Sequence, residues 1–319
     1  MLAWFGNKKR AEGLVGLSIN DQRIALAHIT RKREDVFLEH CVREALAPGS
    51  RDGIKSARDR LPALVEELGL SGANCSCLLS PRDYNIYLVE APEVEADEMR
   101  SAVRWKIKDL LDMPIEEAVI DVFPLPEDAL RGRSPMIYAI AAQKARVEQM
   151  IEVVDRSGMT LDAIDIPEMA MRNLTSVFAD DSNGLAFIAL KQSGSTMNLS
   201  HQGQLYLTRR INTPVATDAL LQDDWEGLRD RLALEIQRSL DYYESQMGQN
   251  PINKILMAPR QSDTETMTAS LSDALAAPID VFNFADRLPS ADSISAELKG
   301  ACMMVIGAAL RVDSEGGGN

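Results

Sequence analysis

The first stretch that could do chemistry is a tight turn between two apolar segments, GLVGLSIN at 13–20 and RIALAHI at 23–29. Several ATP-handling folds place their first phosphate loop in a strand–turn–strand segment of this kind. Such a loop needs small residues that let backbone N–H groups close on a phosphate. ATP chemistry also needs carboxylates that hold Mg²⁺. The function therefore depends on whether this turn retains those residue types.

The cysteine and histidine residues do not indicate a metal site or a nucleophilic active site. The cysteines lack the C-x2-C spacing of zinc ligands, and no histidine has a partner at ligand spacing. They are Cys41, Cys75, Cys77, Cys302, His28, His40 and His201. Cys75 and Cys77 lie two residues apart and would face the same side of a strand, so we expect them to be structural, and we expect no metal and no catalytic residue.

The composition is that of an acidic, globular chain. Its 319 residues carry 48 acidic and 34 basic side chains, for a net charge of −14, and 45% are hydrophobic. This length allows two domains with a sizeable core, and an acidic surface repels nucleic acid. No apolar run reaches the roughly 18 residues of a membrane span, and no signal peptide is recognised, which favours the cytoplasm.

The hydrophobic pattern repeats along the chain. Each half is predicted as a three-strand meander followed by helix, strand and helix. The first copy has strands near 14–18, 23–29 and 35–42, a helix over 53–70 and a strand at 75–79. The second has strands near 185–190, 196–200 and 204–210, a helix over 226–247 and a strand at 254–258.

Residues 80–142 interrupt the first copy as a small α+β subdomain. The pattern there predicts a strand before Pro92, a helix over 93–111 and two more strands. We therefore expect a first lobe over 1–183 that contains this insertion and a second lobe over 184–295. A C-terminal helix over 296–311 is expected to return to the first lobe, before a disordered tail over 312–319.

This duplicated layout predicts an α/β fold of the actin-like (ribonuclease-H-like) class. That fold has two lobes with duplicated β-β-β-α-β-α units, here with an inserted α+β subdomain in the first lobe. A nucleotide binds in the cleft between the lobes of such proteins. Analogy of fold predicts where a site would be and does not establish function.

Five segments, taken together, resemble the PilM-like proteins of type IV pilus assembly, especially the branch that serves mannose-sensitive haemagglutinin pili. They are WFGNKKR with LVGLSI, LVEAPEVEADEMRSAVRWKIKDLLDMPIEEAVIDVFPL, AIDIPEMAMRNL, LALEIQRSLDYYESQ and CMMVIGAALR. The resemblance extends over nearly the whole chain, and the segments occur in the family's order.

The resemblance implies a cytoplasmic scaffold on the inner face of the bacterial inner membrane. It implies that the short cytoplasmic tail of a PilN-like, bitopic inner-membrane protein docks in a groove between the inserted subdomain and the first lobe. Other proteins of the pilus assembly platform, and the assembly ATPase, are further expected partners. The oligomeric state is left open.

The resemblance also implies where a nucleotide would bind, and this chain departs from the family there. The first family hairpin reads roughly Asp-Ile-Gly-Ser, but Ser18 replaces the carboxylate and Asn20 replaces the glycine. Asp21 lies one place too far along, because neighbouring strand residues point to opposite faces. In the second hairpin Ala189 replaces an aspartate and Lys191 replaces a glycine.

The adenosine side of the predicted cleft is altered as well. Pro259 stands in the family's glycine pair and offers no N–H. Gly194 and Ser195 retain backbone groups that could bind an anion. Glu235 and Arg238 stand where the fold places residues beside an adenine, although their i, i+3 spacing equally suits a surface ion pair. We expect no catalytic activity and no cofactor, with binding of ATP and magnesium as the alternative.

The predicted contacts of the partner's tail are Tyr84, Ile86, Tyr87, Arg104 and Trp105. They lie in or beside the insertion, and Trp and Arg are frequent in binding hot spots. Each also has a plain structural interpretation. The residues of 84–87 could pack against the helix that follows, and Trp105 could be half-buried on an amphipathic helix.

The N-terminus is predicted to be the edge nearest the membrane. It carries Leu2, Trp4, Phe5, Lys8, Lys9 and Arg10. Aromatic residues followed by basic ones suit a bilayer interface, so peripheral membrane contact is expected. The other interpretation is that the aromatic residues pack on the first lobe.

Two competing functions depend on nucleotide. One is a divergent ATPase or sugar kinase of the same superfamily, and the other is a polymerising actin homologue of cell shape or division. Ser18, Ala189, Lys191 and Pro259 disfavour both hypotheses, because these residues replace the types that nucleotide chemistry needs.

Overall fold

A computed structural model describes residues 11–33, 35–46, 53–130, 134–192, 194–260, 263–275 and 277–312. Within these ranges the main elements are strands β1 (Leu14–Asn20), β2 (Arg23–Lys32) and β3 (Asp35–Ala45), helix α1 (Gly53–Glu67), β4 (Asn74–Leu78), β5 (Tyr84–Glu90), α2 (Met99–Lys106), β6 (Ala118–Pro124), β7 (Met136–Gln143), α3 (Lys144–Arg156), β8 (Thr160–Asp165), α4 (Pro167–Phe178), β9 (Leu185–Ala189), β10 (Ser195–His201), β11 (Gln204–Ile211), α5 (Trp225–Ser245), β12 (Ile255–Met257), α6 (Thr264–Leu275), β13 (Ile279–Val281), α7 (Ala296–Ala301) and α8 (Met303–Ala309).

The described residues pack into two compact units. Unit 1 takes those of Met1–Ser80, Val147–Asp165 and Leu288–Asn319, and unit 2 takes those of Pro81–Arg146 and Ile166–Arg287. A unit defined by packing and a lobe defined by a repeat are different divisions of a chain. The predicted lobes over 1–183 and 184–295 therefore stay a prediction. Apart from Val312, the predicted tail lies outside the described residues.

Unit 1 is built on a five-stranded sheet in the order β3-β2-β1-β4-β8. The first three strands form an antiparallel meander, and β4 and β8 run parallel to β1. Val15, Leu17 and Ile19 of β1 are at most 1% exposed. Gly16 also lies inside, because α8 packs directly over β1 at that point. The central strand is thus buried on both faces, as in a sheet covered by helices.

Unit 2 contains the inserted subdomain, a three-stranded antiparallel sheet in the order β5-β7-β6. Helix α2 covers one face through Val103 and its C-cap residue Ile107, which pack with Val89 of β5. Ile86 and Leu88 face the other way and pack against a larger core of the same unit. The alternation along β5 follows from the two-residue period of a strand.

The second sheet of unit 2 has the order β11-β10-β9-β12-β13. This order repeats that of unit 1, with a three-strand antiparallel meander and two strands parallel to β9. An apolar stripe of α5 lies in the core of this unit. It consists of Leu232, Ile236, Leu240 and Tyr243, and Met247, just after the helix, packs in the same core.

Two predicted helices are wrong in length. In the predicted helix over 93–111, only α2 and a short 3-10 helix at 108–110 form, because the preceding segment turns, with the Glu98 N–H bonded to the Glu95 carbonyl at 3.0 Å. The C-terminal helix breaks at Cys302, whose N–H is shared between the Leu298 and Lys299 carbonyls at 3.0 and 3.2 Å. Strand β13 has only three residues and was not predicted.

Candidate functional site

The first hairpin turn, in unit 1, satisfies its own backbone. Asn20 and Arg23 pair across the turn. The Asn20 side-chain oxygen accepts hydrogen bonds from the N–H groups of Gln22, at 2.9 Å, and Arg23, at 3.0 Å. Ser18 lies in mid-strand and pairs with Ala25 on one side and Leu78 on the other. The Asn20 side chain therefore already engages two N–H donors of this turn.

The start of α1 packs closely on the same turn. A Cβ atom added at Gly53 would lie 2.1 Å from the Asn20 carbonyl oxygen. Only glycine permits this approach, since real Cβ atoms do not come so near a carbonyl. The turn is therefore fixed by the Asn20 side chain on one side and by the start of α1 on the other.

The second hairpin loop, in unit 2, is also closed by internal hydrogen bonds. The Lys191 N–H donates to Ser195 Oγ at 3.1 Å, and Ser195 is 1% exposed. The Lys191 carbonyl accepts from the N–H groups of Gly194, at 3.3 Å, and Val215, at 3.2 Å. Ala189 is buried at the end of β9. The Gly194 N–H predicted as an anion donor thus already has a partner within the loop.

The Lys191 side chain brings a positive charge to this loop. Desolvation lowers the pKa of its ammonium. The Glu168 carboxylate acts in the opposite direction and raises that pKa. A cation at this point cannot hold Mg²⁺, whose protein ligands are oxygen atoms.

Arg260, which follows Pro259, is a residue that the sequence interpretation missed. Its guanidinium donates to the carbonyls of Leu190, at 2.9 Å, and Ala216, at 2.6 Å. Desolvation by burial lowers its pKa. Arg260 thereby ties the end of β9 to the loop before α5, at the carboxyl edge of the parallel strands where α/β sheets bind ligands. The only signal of this role in the sequence was a basic residue directly after Pro259, where the family has a pair of small glycines.

The Glu235–Arg238 pair of α5 is a surface ion pair. Arg238 lies 3.3 Å from Glu235, and both side chains are substantially exposed. This is the plain interpretation of the i, i+3 spacing. No group of three or more His, Cys, Asp or Glu residues within the described ranges could hold a metal ion.

Trp105 is the most conspicuous exposed residue of the inserted subdomain. It is 67% exposed, and the Lys108 ammonium lies 5.6 Å from the centroid of its ring. Leu110, nearby in sequence, is 54% exposed. The structure therefore removes the half-buried interpretation of Trp105. Arg104, in contrast, donates to the carbonyls of Ala118 and Ile115 and holds α2 against the start of β6.

The other three predicted contact residues belong to β5 and differ in exposure. Tyr84 is 2% exposed, while Ile86 and Tyr87 are half-buried on opposite faces of the strand. The Tyr87 hydroxyl donates to the Leu110 carbonyl at 3.1 Å. Tyr84 offers no surface to a partner in this conformation, so Tyr87, beside the exposed end of α2, is the better placed of the two tyrosines.

Tyr84 instead belongs to a buried polar network within unit 2. Its hydroxyl donates to the carboxylate of Glu168, which is 1% exposed. The Arg210 guanidinium lies 3.8 Å from the same carboxylate and stacks 4.6 Å from the Tyr84 ring centroid. The Glu168 carbonyl accepts from Asn198 at 2.8 Å. This network joins β5, α4, β10 and β11, and sequence patterns did not predict it.

The predicted membrane-near residues, Leu2, Trp4, Phe5, Lys8, Lys9 and Arg10, lie outside the described residues. Over the ranges that are described, none of the helices has the length and apolar character needed to cross a membrane.

Comparison with known proteins shows the fold. No protein-family model and no curated sequence matches the chain. Among solved structures it is similar to the PilM-PilN type IV pilus biogenesis complex, at 17% identity and a TM-score of 0.73, over 94% of this chain and 98% of that one. This likeness confirms the predicted actin-like fold class with its duplicated units.

Two further solved structures are more distant. One is a protein of unknown function with an actin-like ATPase fold from Bacteroides thetaiotaomicron, at 9% identity and a TM-score of 0.47, over 94% of this chain and 99% of that one. The other is the cytoplasmic domain of EpsL, an inner membrane component of the type II secretion system of Vibrio cholerae, at 9% identity and a TM-score of 0.48, over 93% and 94%.

Proposed function

We propose that this chain is a PilM-like, non-catalytic scaffold of a type IV pilus assembly platform. It acts on the cytoplasmic face of the inner membrane and binds the short cytoplasmic tail of a PilN-like membrane protein. The observation that carries the proposal is the likeness to the PilM-PilN complex over 94% of the chain. Among PilM-like proteins we place it nearest to MshI, of mannose-sensitive haemagglutinin pilus biogenesis, on the segments quoted above.

The closed hairpin loops support the non-catalytic part of the proposal. In the first loop the Asn20 side chain takes the N–H groups that a phosphate would need. In the second, Lys191 stands in the loop that is expected to hold a magnesium ligand, and Arg260 spans the sheet edge. The three features support the proposal independently, because phosphate cradling, metal binding and nucleoside binding depend on different residues.

Trp105 supports the tail-binding part. An indole that is 67% exposed leaves much apolar surface in water, and burial of such surface drives association. The Lys108 ammonium lies over the indole ring, while Lys106 pairs with Glu90 at 3.6 Å, so the exposed ring face is the feature that a tail residue would cover. In this scaffold the tail docks at the 84–111 segment, and the other platform proteins and the assembly ATPase are the further partners.

Calorimetric titration tests tail binding. The ligand is a synthetic peptide of the N-terminal cytoplasmic tail of the membrane protein encoded in the same gene cluster. We expect binding, and we expect Trp105→Ala to weaken it by at least about thirtyfold, the size of a hot-spot loss. Leu221→Ala is the control, since Leu221 is 82% exposed and lies elsewhere in unit 2. Equal binding by both variants would remove Trp105 as the anchor, and absence of any tail binding would overturn the scaffold proposal.

A second titration with ATP and Mg²⁺ tests the absence of catalysis. We expect no magnesium-dependent heat and no phosphate release from the purified chain. Magnesium-dependent ATP binding that is lost in Lys191→Glu would instead support the divergent ATPase, the competing function.

A further inference from the structure

Two cysteine side chains of unit 1 lie together between β3 and the break that separates α7 from α8. Cys41 Sγ lies 3.9 Å from the Leu298 carbonyl oxygen, and Cys302 Sγ lies 3.7 Å from the Val42 carbonyl oxygen. Each sulfur thus contacts the main chain of the segment that carries the other. The two side chains also hydrogen-bond to each other, and both are reduced thiols.

A bulge in β3 brings Cys41 to this contact. The pairing of β3 with β2 shifts by one residue at Glu39, which is the extra residue of the bulge. In a regular strand, residues three apart lie on opposite faces of the sheet. A bulge breaks this alternation, and Leu38 and Cys41 are both buried, at 0% and 8% exposure. The Cys41 thiol is therefore on the inside, against the C-terminal segment.

Cys302 is positioned by the segment that covers the edge of β3. The Leu38 N–H donates to the Pro289 carbonyl at 2.9 Å, and the Ala291 N–H donates to the Leu38 carbonyl at 3.2 Å. From there the chain continues through α7 to Cys302, which is 1% exposed. These main-chain bonds fix the segment along β3 and so keep the two sulfurs together.

Cys75 and Cys77 of β4 are the contrasting pair. Both are 0% exposed. Residues two apart on a strand are separated by about 6.6 Å, whereas the Cβ atoms of a disulfide are about 3.5–4.5 Å apart. A bond between these two would distort the strand. Cys41 and Cys302 are therefore the better placed pair for a disulfide.

The surroundings give the two thiols different reactivities. The hydrogen bond from Cys41 lowers the pKa of Cys302 against the effect of burial, and the Arg43 charge adds to the lowering. The same hydrogen bond, and then burial, raises the pKa of Cys41. Because the thiolate is the form that reacts with oxidants, Cys302 is the first group to be oxidised.

We propose that Cys41 and Cys302 form a reversible disulfide when the protein is exposed to a peroxide. The peroxide transfers one oxygen to the Cys302 thiolate, which becomes a sulfenic acid, and the hydroxide that leaves takes up a proton to form water. The Cys41 sulfur then attacks the Cys302 sulfur. The S–S bond forms, the S–O bond breaks, and the Cys41 proton leaves with the hydroxide as a second water. Two thiols are oxidised and one peroxide is reduced.

Helix α7 controls access to the pair. It has only six residues, of which Ala296, Glu297 and Ala301 are exposed. A helix this short has little stability of its own, and segments with few buried contacts open locally. Opening of α7 admits a small oxidant such as hydrogen peroxide to Cys302 while the sheet stays intact.

The bond fastens the C-terminal helices to the sheet. Helix α8, which follows Cys302, packs over β1 at Gly16. A link between β3 and the start of α8 closes a long loop, and such links restrict the unfolded chain most. In a reducing compartment a disulfide of this kind is transient and senses oxidants. The inference does not depend on the pilus function, since it uses only residues of unit 1.

Thiol mapping of the full chain tests the proposal. The folded protein is treated with hydrogen peroxide, alkylated with iodoacetamide in denaturant and digested with trypsin. We expect the alkylated thiols to fall from four to two, and peptide 34–43 to be linked to peptide 300–311 until dithiothreitol is added. Cys41→Ala and Cys302→Ala should abolish the link. Cys75→Ala is the control and should retain it.

Thermal unfolding gives a second readout. Oxidation should raise the melting temperature of the parent by about 5 °C or more, and it should leave that of Cys41→Ala unchanged. Mapping of the parent needs no variant, so the test does not depend on whether a variant folds. Four alkylated thiols after oxidation would overturn the proposal. A bond that joins two copies, or one that includes Cys75 or Cys77, would overturn it too.

Discussion

At the scale of single residues, the two tyrosines of β5 separate structural from functional roles. Tyr84 donates its hydroxyl to the buried carboxylate of Glu168, while Tyr87 donates to a main-chain carbonyl near the surface. Tyr84→Phe leaves a carboxylate that is 1% exposed without its hydroxyl donor, with Arg210, at 3.8 Å, and Lys191 as ionic neighbours. We expect this change to lower the free energy of unfolding by about 1–3 kcal/mol, measured by urea denaturation.

Tyr87→Phe is the matched control on the same strand. It removes one hydrogen bond from a half-buried hydroxyl, so we expect a loss of no more than about 1 kcal/mol. If the two variants lost the same stability, the Tyr84–Glu168 contact would not be a stabilising part of the network.

Alkaline pH gives a second readout of the same residue. Burial, and then the charge of Glu168, raises the pKa of Tyr84 in the folded state. The stabilisation is therefore fully present below the unfolded tyrosine pKa of about 10 and is lost as the pH rises above it. Above that pH the free energy of unfolding should fall less steeply in Tyr84→Phe than in the parent, by up to about 1.4 kcal/mol per pH unit. An unchanged slope would contradict the raised pKa of Tyr84.

Sequence patterns predicted the site residues unevenly, and the reasons are physical. The residue types of the two hairpin turns, on which the expectation of no ATPase activity depends, are visible in the sequence, because they are a matter of residue identity alone. Burial of Tyr84 and exposure of Trp105 were not, since each lies between polar or charged neighbours in the sequence and only its tertiary partners decide its burial. Arg260 was missed because its hydrogen bonds go to the carbonyls of Leu190 and Ala216, which are distant in sequence.

At the scale of elements, clean periodicity gave reliable predictions. The three strands of each meander and the long helix α5 form within a few residues of their predicted bounds. Errors arose where hydrogen bonding changes from one turn type to another without a change in hydrophobic pattern. The acidic segment before α2 and the break at Cys302 are both of this kind.

The packing of α8 on β1 makes a testable prediction. A Cβ atom at Gly16 would lie 1.9 Å from the Val305 carbonyl oxygen, so Gly16→Ala must push the helix away from the strand. Overpacking of this kind costs about 1–3 kcal/mol, occasionally more. We expect a loss of that size or larger in the free energy of unfolding, measured by chemical denaturation.

Gly227→Ala is the opposite case. Gly227 lies in α5, and the added Cβ would lie 3.6 Å from Arg231 Nη1, an ordinary contact. Because alanine is the better helix former, we expect a gain of about 0.5–1 kcal/mol. A neutral Gly16→Ala would show that α8 is not seated on β1 at this distance.

At the scale of the whole molecule, the repeated sheet order was predictable and the packing units were not. The order arises from a repeated hydrophobic pattern, and it recurs as β3-β2-β1-β4-β8 and β11-β10-β9-β12-β13. The units arise from which segments pack together when the chain leaves unit 1 after Ser80 and enters it again at Val147. That choice depends on contacts such as Tyr84 with Glu168 and Tyr206 with Asp128, which no local pattern encodes.

The net charge makes the last prediction. A chain with 48 acidic and 34 basic side chains repels itself in the compact state at neutral pH. Salt shortens the range of this repulsion from about 30 Å at 0.01 M to about 10 Å at 0.1 M. Exposed ion pairs weaken under the same change, but each contributes little to stability. We therefore expect the melting temperature at pH 7 to rise as sodium chloride is added, measured by scanning calorimetry.

The control is the same titration near the sequence pI of about 4.8, where the net charge is close to zero and the repulsion is absent. Salt should have little effect there. A melting temperature that falls with salt at pH 7 would mean that specific pairs outweigh the general repulsion. Arg60, which bonds to both Glu44 and Glu67, and Arg146, which bonds to Asp83, would then be the first pairs to remove. Stability of this acidic chain would in that case depend on a few placed cations, and its net charge would matter for solubility alone.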